Sequence, residues 1–67
     1  MKFFIYTLSD PITEEVRYIG KTYDIKRRFN RHINKAKKST TTHKDAWIKS
    51  LLIIDKKPII EVIDWKT

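Results

Sequence analysis

Five side chains in the first half of this 67-residue chain could act on a phosphodiester: Tyr6, Tyr18, Lys21, Arg28 and His32. A phenol or an imidazole can take a proton from water, and a guanidinium can hold a phosphate and the charge that develops on it. Tyr6 and Tyr18 sit near the middles of two apolar-rich segments, so a hairpin would bring both phenols onto one sheet face. By type alone, two such tyrosines are ordinarily core or interface residues with the hydroxyl at the edge. Arg28 and His32 are four residues apart and project from one side of a helix. Lys21 leaves the second segment just before that helix starts. These placements predict convergence at the seam between hairpin and helix, with both phenol hydroxyls open to solvent rather than buried in the core, while a histidine on a helix flank is more often a plain polar residue.

The elements that must position these residues are legible in the alternation of the chain. Residues 2–8 place Phe4, Tyr6 and Leu8 on one face and Phe3, Ile5 and Thr7 on the other, a strand covered at least partly on both faces. Ser9, Asp10 and Pro11 open a turn. Residues 15–21 read as a second, antiparallel strand ended by Gly20, the only glycine, which marks a close backbone approach or a positive φ. Asp24 is a good N-cap for a helix whose stripe is Ile25, Phe29, Ile33 and Ala36. After a polar loop at 39–42, Trp47, Ile48, Leu51, Leu52 and Ile54 define a second helix, stopped by Lys57 and Pro58. Residues 59–64 make a third strand. The expected class is α+β: a small three-stranded antiparallel sheet flanked by two helices, in the order β-β-α-α-β.

Charge points to the partner. Fifteen basic and eight acidic residues give a net +7. Residues 17–38 hold nine of the basic residues and one acid, Asp24, a local sum of +8 that leaves −1 for the remainder. A one-signed block argues for a polyanion, and nucleic acid is the commonest. With about four phosphate contacts, log affinity for duplex DNA should fall against log salt with a slope near −3 to −4. The chain has no cysteine, hence no disulfide or thiolate zinc site. Its longest apolar run, Leu51 to Ile54, is far short of a membrane span. A single cytoplasmic domain over 1–67, with no membrane partner, is the expectation.

The motifs also carry a resemblance. Phe4-Ile5-Tyr6 and Tyr18-Ile19-Gly20, with eleven residues between Tyr6 and Tyr18, resemble the paired signature of the GIY-YIG nucleases, Phe4 standing where the signature has its first glycine. Arg28 falls eight residues past Gly20 and His32 four further on, as in that family. Lys21, straight after the glycine, is similar to the bacterial excision-repair branch. Residues 47–51, then Lys57, Pro58 and a β-branched strand, resemble the family's second helix and third strand. The resemblance implies hydrolysis of a DNA phosphodiester assisted by Mg²⁺ or another divalent cation. Tyr6 and Tyr18 would position or deprotonate the water. Arg28 would bind the scissile phosphate, His32 would transfer a proton or contact phosphate, and Lys21 would contact phosphate. Arg27, Arg31, Lys35, Lys37 and Lys38 extend the basic surface as nucleic-acid contacts.

The family carries its metal-binding glutamate on a helix after the third strand, and this sequence runs only to Thr67, so the domain is expected to be short at that end. Glu61 and Asp64 are the remaining weak candidates for a metal. Two functions follow: an endonuclease whose carboxylate comes from elsewhere, or a binder without turnover that holds a nucleotide or nucleic acid, or inhibits a partner, as a phage-type inhibitor or decoy. A third reading, a basic structural protein whose tyrosines are core, is disfavoured because charge and motif coincide on one helix. Residues 59–63 and Trp65 are expected to lack cover. Leaving about 300 Å² of apolar surface wet would forgo roughly 7 kcal/mol, so a homo-oligomer, most simply a two-fold dimer, is expected.

Overall fold

The computed structural model describes all residues, 1–67. The elements run β1 (Phe3–Ser9), β2 (Val16–Thr22), α1 (Ile25–Lys38), α2 (His43–Ile53) and β3 (Ile59–Lys66). The sheet order is β2-β1-β3, antiparallel throughout. The class and order are those expected from the sequence.

β1 is the central strand, and that position explains its burial. Tyr6, Thr7 and Leu8 are all buried although they alternate between faces. Both helices lie against the face bearing Tyr6 and Leu8, which pack with Ile33 and Ala36 of α1 and Trp47, Ile48 and Leu51 of α2. The overall dimensions, 37 × 25 × 18 Å, are those of one sheet layer under one helix layer. On the other face Ile19 and Ile59 are exposed. Between Ile5 and Tyr6 the register with β3 shifts, passing from Asp64 to Val62, so Ile63 is an extra residue and the edge strand bends there.

The hairpin turn is built on Asp10. Its Oδ1 accepts from the backbone N–H of Ile12 (2.8 Å) and Thr13 (3.1 Å), and its Oδ2 accepts from Trp47 Nε1 at 3.1 Å. One carboxylate thus closes the turn and ties it to α2. The indole bond is the largest of the effects that hold the Asp10 pKa below its ordinary value.

Each helix is capped at its start. Asp24 accepts from Arg27 N at 3.0 Å, as expected, and Thr42 accepts from Asp45 N at 3.1 Å. The end of α2 differs from expectation. Lys56 N–H reaches Leu51 O (2.8 Å) and Asp55 N–H reaches Leu52 O (3.1 Å), with Asp55 at φ 60°. This paired closure around a left-handed residue ends the helix before the proline, and it leaves Ile54 exposed rather than on the buried face.

Candidate phosphodiester site

Strand pairing brings the two tyrosines together. Tyr6 faces Gly20 across the hairpin and Leu8 faces Tyr18, so both phenols lie on the helix-covered face with ring centroids 6.2 Å apart. Gly20 is required there by space, not by backbone angle. A Cβ on it would stand 2.5 Å from Tyr6 Oη and 2.8 Å from Tyr18 Cε2, and no glycine has a positive φ. The glycine lets the phenols cross its backbone.

α1 supplies the rest. His32, one turn past Arg28, is buried, and its Nε2 lies 2.7 Å from Tyr6 Oη; the imidazole tautomer decides which partner donates. The Tyr18 ring meets the imidazole edge-on at 5.3 Å. Tyr6, Tyr18 and His32 therefore form one stacked cluster. Arg28 is half-buried, and its charge acts on both Tyr6 and His32.

Burial sets the protonation of this cluster. His32 is lowered to about 4, first by burial and then by the charges of Lys44 and Arg28, with Asp45 acting the other way. The imidazole is neutral at pH 7. Tyr6 is raised, first by burial and then by Tyr18, while Arg28 opposes the rise. Tyr6 stays a neutral phenol.

The expectation that both hydroxyls open to solvent fails for Tyr6, which is wholly buried with its hydroxyl on His32. Its place on the central strand under two helices explains this. Tyr18, on an edge strand, is half-buried.

Other expected site residues separate by position. Lys21 alternates onto the opposite sheet face, paired with Ile5, and its Nζ lies 5.3 Å from the centroid of Phe3, so it does not join the cluster. Lys35 is two helical turns beyond Arg28 on the same line, and Arg31 and Arg27 continue the basic surface round the outside of α1. These residues, with Asn30, Asn34 and Lys38, line an open surface depression of roughly 750 Å³. Lys37 falls half a turn away from Arg28 and points elsewhere.

No three His, Asp or Glu side chains gather anywhere in the chain. Glu61 and Asp64 pair with Thr7 and Ile5, on the sheet face away from the tyrosines, and Asp64 is 3.3 Å from Lys66 Nζ. The side chains present do not fit a hard cation, which needs several oxygen ligands.

Two residues of α2 were not singled out from sequence. Lys44 Nζ lies 4.7 Å from the centroid of the Tyr18 ring. Asp45 is wholly buried, neither carboxylate oxygen has a hydrogen-bond partner, and Oδ2 is 3.5 Å from Lys35 Nζ. An Asp three residues past a threonine cap is a weak local signal, and only the packing of α2 on α1 gives it meaning.

The family model of the GIY-YIG catalytic domain matches residues 2–62 of the sequence. No curated protein and no solved structure matches the chain. No helix is long and apolar enough to cross a membrane. By its match to that family model, the chain belongs to the GIY-YIG family.

Proposed function

We propose that this domain is an endonuclease that grips nucleic-acid phosphates along α1 and hydrolyses a DNA phosphodiester beside Tyr18. The observation that carries the reading is the buried 2.7 Å bond between Tyr6 and a neutral His32, with Tyr18 stacked on the imidazole. Hydrolysis needs a water that loses a proton and a phosphate whose developing charge is held. Tyr18, the phenol that reaches solvent, orients the water. His32, neutral at pH 7, is the base, and Tyr6 fixes its ring. Arg28 holds the scissile phosphate, and Arg27, Arg31, Lys35 and Lys38 hold the flanking ones.

GIY-YIG nucleases generally use a divalent metal ion. This chain assembles no carboxylate cluster for one, and that observation favours the second reading, a phosphate-gripping protein without turnover. Under the first reading the carboxylate is neither Glu61 nor Asp64, which lie on the sheet face away from the tyrosines. β3 is an edge strand whose Ile59, Val62, Ile63 and Trp65 are exposed, so pairing two copies through it would bury apolar surface.

Incubation with supercoiled plasmid and with single-stranded DNA, in Mg²⁺, in Mn²⁺ and with EDTA, separates the two. Nicking that EDTA abolishes establishes the nuclease. Retention of DNA without cleavage under every condition establishes the binder.

A further inference from the structure

We propose that Lys44 is a second phosphate-contacting residue of the site, its ammonium completing with Arg28 the grip on a DNA phosphate over Tyr18. This rests on the phosphodiester reading above and adds a residue that neither the paired signature nor the basic stretch of α1 contains.

Lys44 is held where such a contact is made. It is the second residue of α2, behind the Thr42 cap, and its Nζ stands 4.7 Å over the Tyr18 ring, whose edge meets His32 at 5.3 Å. The carboxylate of its neighbour Asp45 is buried without a hydrogen bond, its nearest charge Lys35 at 3.5 Å. Three cations, Arg28, Lys35 and Lys44, act on the neutral imidazole of His32, and one carboxylate, Asp45, opposes them. Two positive charges are left without an anion. The carboxylate lies behind the rim, inside the core, so the open side lacks its counter-charge. A phosphodiester on that side supplies it and lies against the solvent-reaching phenol. The Lys44 pKa agrees with this picture: burial lowers it first, Lys35 and Arg28 lower it further, and Asp45 opposes them. An anion over the ring would relieve those costs.

The bland alternative is that the lysine stem only covers an aromatic face. Counterion release distinguishes the two, because each phosphate contact adds about 0.9 to the salt slope and mere cover adds nothing. The experiment measures binding to a DNA duplex of about 20 base pairs, between about 50 and 200 mM salt, for the intact chain and for Lys44→Met, Lys44→Arg, Arg28→Ala and Lys57→Met. Lys57 is exposed beyond α2. Lys44→Met should bind about tenfold more weakly, the loss of one charge-assisted contact, with the slope shallower by about 0.9. Lys44→Arg should keep the wild-type slope, and Lys57→Met should leave it unchanged. An unchanged slope for Lys44→Met beside a shallower one for Arg28→Ala overturns the role of Lys44 and leaves the site intact. An unchanged slope for both overturns the phosphodiester reading itself.

Discussion

His32 makes the sharpest residue-scale prediction. An unfolded histidine titrates near 6.5 and this one near 4, so the unfolded chain takes up the proton first. A lowered histidine pKa means that its contribution to stability is fully present above 6.5 and is lost as pH falls towards 4. Urea unfolding at pH 7 and pH 4.5 should differ by on the order of 2 kcal/mol, and His32→Gln should remove most of that difference. Equal stability at both pH values in the parent chain would contradict the buried, neutral imidazole. Gly20→Ala tests the phenol cluster from the other side. A Cβ within 2.5 Å of Tyr6 Oη must displace a fully buried ring, at a cost of about 1–3 kcal/mol in thermal unfolding. An unchanged melting temperature would mean that the rings move freely. The positions of Tyr6, Tyr18, Arg28 and His32 were legible because strand and helix periods are local properties of the chain. The burial of the Tyr6 hydroxyl was not, because it depends on which strand is central. Lys44 and Asp45 were hidden for a related reason: their importance arises only where α2 meets α1.

At the scale of elements, the start of α2 governs both stability and the site. Thr42 caps the helix through Asp45 N–H and fixes the direction in which Lys44 leaves the backbone. Thr42→Ala should lower stability by about 1 kcal/mol in denaturant unfolding, and no loss would show that the cap contributes nothing. Both helices were readable from their apolar spacing and β1 from its alternation. The Asp24 cap was readable because it directly precedes an apolar stripe, whereas Thr42 ends a run of hydroxyl residues, Ser39 to Thr42, any of which can cap. The closure of α2 escaped detection because it uses Asp55 in the left-handed region, where glycine is the usual signal. The edge strand β3 runs to Lys66, two residues further than its β-branched stretch indicates, because Phe3 and Phe4 pair with Lys66 and Trp65.

For the whole molecule, two surfaces matter: the basic exterior of α1, and the edge strand β3 with Ile59, Ile63 and Trp65 each at least half exposed. A two-fold pair through β3 would cover the second while leaving the first free. Sedimentation at micromolar concentration should therefore give twice the 8.1 kDa chain mass. A stable monomer there would remove the dimer. The excess of positive charge was plain in the sequence, but its direction was not, since alternation turned Lys21 to the far face and the helix turned Lys37 away. In the proposed function Tyr18, His32 and Arg28 act together on a phosphodiester. Its most direct test is cleavage of plasmid DNA by the parent chain, Arg28→Ala and Tyr18→Phe in the same Mg²⁺ buffer, with folding checked by thermal unfolding. Both variants should fold as the parent does and lose at least about 100-fold in cleavage rate, the size of a lost proton-transfer or charge-stabilising group; variants that cut as fast as the parent would contradict these roles.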